Sequence, residues 1–275
     1  MPAVVARFAP SPTGYLHRGH AFSALTAHQA AQAVDGRFLL RIEDIDATRC
    51  RPEYETALFE DLAWLGLTWE TPVRRQSDHR ADYDAALAAL RAAGLAYRCF
   101  KTRKEIAQAA QSAPHGLPAP YVGAPLPPDE EAMRLAAGQP FAWRLSLEAA
   151  RARLGGFDLT FTEGDQVRPA DPTNAGDIVL ARKDVGVAYH LAVVVDDALQ
   201  GVTHVIRGQD LYEATPVQRL LQTLLDLPAP TYRHHPLLVG ADGRRYAKRD
   251  HAETLREIRA AGVTPAQLRK ELGFP

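Results

Sequence analysis

Cysteine is nearly absent: Cys50 and Cys99 are the only two in 275 residues, too few for a disulfide framework and with no Cys-x-x-Cys pair to hold zinc. Net charge is nearly absent too. Lys and Arg total 32 against 33 Asp and Glu, a formal −1, so no global basic field marks a nucleic-acid partner. The N-terminus MPAVVARFAPSPTG lacks a positive segment followed by an apolar one, and no signal peptide is expected. Even the valine-rich run Leu191–Val195 falls far short of the roughly 20 residues a bilayer span needs. A cytoplasmic protein with no membrane contact, working as a monomer, is the expectation. Lysine is scarce as well, five against 27 arginines, so a lysine in a polar loop stands out. What remains is 24% charged and 46% hydrophobic, an ordinary globular composition that excludes disorder, collagen and coiled coil. The length suits one large domain or two modest ones.

The first stretch alternates strands with helices. Val4–Phe8 reads as a short strand, Ala9–Gly14 as a rigid loop, and His20–Val34 as an alanine-rich helix. Phe38–Ile42 reads as a buried strand; Pro52 suits the first position of a second helix, and Asp78–Ala93 forms a third. Such alternation argues for a parallel sheet with crossover helices. From about Tyr97 to Gly176 the texture changes. Thr102–Glu105 is a candidate capping box, six prolines fall between Pro114 and Pro128, and Phe141–Leu147 and Phe157–Thr162 read as strands of a small inserted lobe. The sheet is expected to resume with strands at Asp177–Ala181, Val187–Val195 and Val202–Ile206. A helix at Ala214–Leu225 and a strand near Tyr232–Val239 would complete it. Residues 240–249 form a polar loop, and two short helices close the chain.

Several residues could carry chemistry. His17-Arg18-Gly19-His20 falls where the first strand–loop unit becomes a helix. A helix N-terminus attracts phosphate, and two imidazoles one turn apart can donate to a transferring phosphoryl group, while Gly19 permits close nucleotide approach. Two surface histidines that merely flank a glycine would read the same. Arg244–Arg249 contains Lys248, which could neutralise a leaving pyrophosphate or belong to a solvated charge run. Arg7, Glu43, Tyr189 and Arg207 fall at or near expected strand ends, where open α/β sheets bind ligands. Guanidinium forks for two carboxylates and Glu43 for an ammonium are what an amino-dicarboxylic acid needs; each could equally be a structural ion-pair partner. Asp196-Asp197 invites a metal reading, but two acids after a strand are usually a solvated loop or a helix cap.

Five blocks occur in order: RFAPSPTGYLHRGH (7–20), RIEDID (41–46), AYHLAVVVDD (188–197), HVIRGQDL (204–211) and RYAKRD (245–250). Together they resemble the catalytic core of class I glutamyl-tRNA synthetases, with HxGH and AKR standing for the HIGH and KMSKS signatures. Only 26 residues follow Arg249, fewer than the helical anticodon-binding domain of full synthetases requires. IEDID, the Gln200-Gly201-Val202 step and Asp210-Leu211 are similar to the truncated glutamyl-Q tRNA(Asp) synthetase branch. The resemblance implies a Rossmann-like class I aminoacyl-tRNA synthetase catalytic domain (residues 1–96 and 177–249), an inserted lobe (97–176) and a short helical C-terminus (250–275). It implies glutamate contacts from Arg7, Phe8, Ala9, Pro10, Ser11, Glu43, Tyr189 and Arg207, and ATP contacts from His17, Gly19, His20 and Lys248, with His17, His20 and Lys248 catalytic. ATP with Mg2+, L-glutamate and a tRNA(Asp) carrying queuosine would be the reactants.

Three features depart from that family's pattern. Its frequent zinc site, Cys-x-Cys followed by Tyr-x-x-x-Cys, here reads Cys99-Phe100-Lys101 and Tyr121 to Pro125. Neither lysine nor proline replaces a thiolate, so no zinc is expected. Arg245 and Ala247 stand where Lys and Ser are usual, and His190 where an amide is common. The expected reaction is glutamate adenylation without tRNA, followed by transfer to queuosine in the tRNA(Asp) anticodon. The alternatives are 3′-end charging of tRNA(Glu), or a non-catalytic paralogue that binds glutamate or tRNA. Residues 74–104, with eight Lys and Arg against three Asp, are a candidate surface for the tRNA backbone or a solvated helix face.

Overall fold

A computed structural model describes residues 3–102, 104–106, 120–182, 186–238 and 253–275. Strand β1 (Val5–Phe8) leads through a loop into helix α1 (Arg18–Gln32), then β2 (Arg37–Ile42), α2 (Pro52–Trp64), β3 (Arg74–Arg75), α3 (Arg80–Ala92) and β4 (Ala96–Cys99). There follow α4 (Pro128–Ala136), β5 (Ala142–Leu145), α5 (Leu147–Leu154), β6 (Thr160–Glu163), β7 (Gln166–Pro169), β8 (Val179–Arg182) and β9 (Gly186–Val187). The last elements are α6 (Tyr189–Leu199), β10 (His204–Gly208), α7 (Thr215–Leu224), β11 (Thr231–His235), α8 (Leu255–Ala260) and α9 (Pro265–Glu271). The expected polar loop 240–249, with Lys248, lies outside the described residues.

The main sheet runs β3-β2-β1-β10-β11-β6-β7, parallel from β3 to β6. Only β7 runs antiparallel, as a hairpin on β6. Strand alternation decides what faces where. Ala6, Phe8, Phe38, Leu40, Ile42 and Ile206 pack into one core with the buried stripe of α1 and with Leu255, Ile258 and Leu268 of the last two helices. Their neighbours Val5, Leu39, Val205 and Tyr232 face the other way. By the same period of two, Arg7, Arg41 and Arg207 fall on that second face, toward the carboxyl ends of three adjacent strands. The turn between α1 and β2 needs Gly36, where a Cβ would stand 2.4 Å from the Val4 carbonyl oxygen.

Three expectations are corrected. Residues 189–199 form a helix, not part of a strand at 187–195. Every residue from Leu191 to Asp197 is buried, in a helix packed against both α3 and α7. A helix covered on all sides shows no polar stripe, and its short apolar run cannot be told from a buried strand by pattern. Asp196 and Asp197 are therefore not in a solvated loop; they are 0% and 5% exposed within α6. Finally, β6 belongs to the main sheet, not the small lobe, while β8 joins β4, β5 and β9 in a four-stranded antiparallel sheet.

Candidate active site

The carboxyl ends of β2, β1, β10 and β11 open on a cavity of about 620 Å3. This is where a parallel sheet binds ligands, beside the strand at which the order reverses. Arg7, Phe8, Ala9, Pro10 and Ser11 line it from β1 and its loop, His17, Gly19 and His20 from the start of α1, and Glu43, Tyr189 and Arg207 from the far side. Thus all the expected site residues except Lys248, which lies outside the described residues, meet at one cavity. Tyr189 reaches it as the first residue of α6 and not from a strand end.

The loop before α1 is pinned on both flanks. The Pro10 carbonyl accepts from Glu43 N–H at 3.0 Å, the Pro12 carbonyl from Arg51 N–H at 3.0 Å, and the Leu16 carbonyl from Leu255 N–H at 2.8 Å. His17 caps α1: its Nδ1 accepts from Gly19 N–H at 3.1 Å, and His20 Nδ1 accepts from His17 N–H at 3.2 Å. A ring nitrogen that accepts carries no proton, so both neutral imidazoles hold their proton on Nε2. The rings sit 3.9 Å apart, centre to centre. A helix N-terminus carrying two Nε2–H donors suits an anionic phosphate.

Buried charge organises the opposite wall. Arg7 donates from Nε and Nη2 to Asp197 at 3.0 and 3.5 Å, and Arg41 donates to Asp197 at 2.7 Å and to Glu43 Oε1 at 3.1 Å. Burial alone would lower the Arg41 pKa, but Asp197, Glu43 and Asp196 carry it upward. Burial likewise presses Asp197 upward, and Arg7 and Arg41 reverse that, leaving it below the usual carboxylate range. Glu43 behaves differently. Burial raises its pKa, and Arg41 and Arg7 offset this only in part, so a cation in the cavity would favour its ionised form. Asp196 is satisfied by Arg74, Gln76 and Tyr83 at 2.7–2.8 Å.

Among the described residues Arg207 has no such partner. It is 5% exposed, yet its Nε–H and Nη groups donate to His234 Nε2 (3.1 Å), Gln218 Oε1 (2.8 Å), the Leu211 carbonyl (3.1 Å) and Thr215 Oγ1 (2.9 Å). All four acceptors are neutral. One Nη1–H remains of the five that a guanidinium carries. Burial pulls its pKa down, and Arg7 adds to that. A buried cation facing a cavity with only neutral hydrogen-bond partners is the site's unsatisfied charge. Next to Tyr189, His190 is pushed down to about 4 by burial and by Arg207; its Nδ1 is buried without a hydrogen-bond partner.

A second cavity, about 1130 Å3, shares Ser11, Thr13, Glu43 and Tyr189 with the first and extends to the small sheet. Arg49, Lys101, Arg182 and the rings of Phe100 and Phe141 line it. Near its far end Cys99 Sγ lies 3.4 Å from the Tyr121 hydroxyl, with Lys101 Nζ 5.6 Å from the Tyr121 ring. An ammonium there, with Pro125 completing the segment, does not fit a zinc site.

Pattern reading singles out Asp196-Asp197 but assigns them to a solvated loop or helix cap, and it misses Arg41, Gln218, Glu163 and His234. A signal existed for Arg41, since alternation in Arg37–Ile42 puts it with Leu39 on a covered face. For Asp196 and Asp197 the pair itself is visible, but reading their helix as a strand places them after its end and hides their burial.

Comparison with known proteins supplies the family. The profile for class I tRNA synthetases (E and Q), catalytic domain, matches residues 3–273. A glutamyl-Q tRNA(Asp) synthetase of Rhodobacter capsulatus is 47% identical over 286 residues, covering 98% of this chain and 100% of the relative. A glutamate–tRNA ligase of Aquifex aeolicus is 39% identical over 98% of this chain but only 56% of its own length. Among solved structures, a glutamate tRNA ligase from Elizabethkingia meningosepticum in complex with its amino acid superposes with TM-score 0.75 at 29% identity. It covers 90% of this chain, which spans about half, 52%, of that ligase. The chain belongs to the class I glutamyl and glutaminyl tRNA synthetases, with that family's Rossmann-like catalytic domain.

Proposed function

We propose that the chain activates L-glutamate with ATP, without requiring tRNA, and esterifies the glutamate onto queuosine in the anticodon of tRNA(Asp). The observation that carries the amino acid is Arg207, a buried guanidinium on a cavity with no carboxylate among its hydrogen-bond partners. A substrate carboxylate satisfies it. Arg7 and Arg41 are already paired with Asp197, Glu43 and Asp196, whereas Arg207 has no carboxylate partner among the described residues. Zwitterionic glutamate brings the carboxylate that Arg207 lacks. Its ammonium suits Glu43, whose ionisation it would favour.

The α-carboxylate attacks the α-phosphorus of ATP, the bond to pyrophosphate breaks, and glutamyl-adenylate forms. The Nε2–H groups of His17 and His20 donate to oxygens whose charge grows in that step, and Lys248 balances the leaving pyrophosphate. Mg2+ entering with the nucleotide supplies further charge neutralisation. A hydroxyl of queuosine then attacks the activated carbonyl, and AMP leaves as the ester forms. Queuosine is supported by the Rhodobacter, Nocardia and Symbiobacterium relatives, 43–47% identical and named glutamyl-Q tRNA(Asp) synthetase. The larger cavity, with its cationic and aromatic lining, is a fitting entrance for a nucleotide. ATP–pyrophosphate exchange across the amino acids, without tRNA, tests the first half. Exchange with glutamate, and almost none with glutamine or aspartate, is expected; exchange supported equally by glutamine would overturn the pocket assignment.

A further inference from the structure

Behind Arg207, away from the cavity, a histidine and a glutamate form a chain that the reaction does not use. Arg207 donates its Nε–H to His234 Nε2 at 3.1 Å, so that nitrogen must be bare. The other ring nitrogen, Nδ1, therefore carries the proton and donates it to Glu163 Oε2 at 2.8 Å. Glu163 Oε1 takes the His234 backbone N–H at 2.7 Å. One carboxylate thus holds both the backbone and the ring of its neighbour. The ring also neighbours Tyr232, parallel to it at 3° with centroids 6.1 Å apart, and Tyr212, edge-on at 5.1 Å. Glu163 is itself anchored: it ends β6, pairs in register with Tyr232 of β11, and precedes the tight turn at Gly164. Neither Glu163 nor His234 lines the cavity.

This geometry selects one tautomer. With Glu163 accepting at Nδ1, the His234 lone pair faces Arg207, and an Nε2–H pointing at a guanidinium is disfavoured. Without the carboxylate the ring is free to turn or to change tautomer. Arg207 then loses the only one of its four acceptors that holds Nε–H, and the direction of the single Nη1–H left for a ligand is less tightly set.

We propose that Glu163 and His234 are positioning residues for the amino-acid substrate: they lock Arg207 in the orientation that receives a substrate carboxylate. The proposal rests on Arg207 contacting glutamate. Its signature is a change in the KM for glutamate at nearly constant kcat and constant KM for ATP, since neither residue approaches the nucleotide wall.

The test uses the full chain in ATP–pyrophosphate exchange, with Glu163→Ala, Glu163→Gln, His234→Leu and His234→Gln. His234→Leu should raise the KM for glutamate about tenfold or more, as expected when a hydrogen bond of a buried charged group is lost. His234→Gln, whose Oε1 can still accept from Arg207, should recover most of that loss. Glu163→Ala should raise the KM severalfold, and Glu163→Gln, which keeps one acceptor for the two donors of His234, the backbone N–H and Nδ1–H, should recover only part of that loss. Ring 15N shifts give a readout independent of activity: His234 should be the Nδ1–H tautomer in the wild type and a mixture in Glu163→Ala. An unchanged KM for glutamate in folded His234→Leu would overturn the proposal. So would equal increases for glutamate and ATP, or His234 found as the Nε2–H tautomer. If Arg207→Gln itself leaves the KM for glutamate unchanged, the pocket assignment fails, not the relay alone.

Discussion

Replacing Arg207 by glutamine probes the site's unsatisfied charge directly. The wild-type guanidinium is 5% exposed, spends four N–H groups on neutral acceptors and keeps one, together with its whole charge, for the ligand. Removing it deprives a bound carboxylate of one charge-assisted hydrogen bond in a dry setting, a loss of about 2–4 kcal/mol. On that basis kcat/KM for glutamate falls by about 30-fold to 1000-fold. Glutamine, expected to be a poor substrate, offers Arg207 no side-chain carboxylate and should change by less than about threefold. Discrimination between the two amino acids therefore collapses, chiefly from the glutamate side. Arg207→Lys keeps the charge but has three donors for four fixed acceptors plus the substrate, and its loss should be intermediate. The assay is ATP–pyrophosphate exchange with each amino acid, with melting curves to confirm folding, because the variants leave His234, Gln218 and Thr215 acceptors without their donor. Equal losses for glutamate and glutamine, or no loss for glutamate, would refute the reasoning.

Three other outcomes follow from the same chemistry. Lys248→Ala should slow adenylation by about 100-fold, comparable to removal of one charge-stabilising group, as single-turnover kinetics would show; an unchanged rate contradicts the role given to it. Purified protein should contain no stoichiometric zinc by elemental analysis, since Lys101 and Pro125 occupy two of the four ligand positions. Asp61 predicts a pH dependence. Burial pushes its carboxyl up to about 6, and its Oδ2 has no hydrogen-bond partner. An acid with a higher pKa folded than unfolded holds more protons in the fold, so stability falls as pH rises between the two values, by about 3 kcal/mol once both states are ionised. Asp61→Asn should therefore raise Tm near neutral pH and have little effect near pH 3, below both pKa values; a uniform shift at both pH values would contradict this.

Much of the site was legible because its elements announce themselves locally. The first strand, the HxGH turn and the second strand carry strong start and stop signals, from the Pro52 helix start to the Gly36 turn, and they place Arg7, His17, His20 and Glu43 together. What pattern could not supply was the far half of the molecule. A valine-rich segment buried on all sides reads as strand or helix alike, so the helix carrying Tyr189, Asp196 and Asp197 was misread, and with it the salt-bridge hub behind the cavity. The sheet membership of β6 and β8 depends on long-range pairing across an insertion, for which local composition carries no signal. Glu163 and His234 were invisible for the same reason, since they meet only when β6 docks against β11.

The most direct test of the central claim is attachment of labelled glutamate to an anticodon arm of tRNA(Asp) whose 3′ end is blocked by phosphate. Two arms should be compared, one with queuosine and one with guanosine at the wobble position. The account predicts that the queuosine arm becomes esterified in the presence of ATP while the guanosine arm accepts nothing. Charging of unmodified tRNA(Glu) at its free 3′ end, with the queuosine arm left bare, would contradict it.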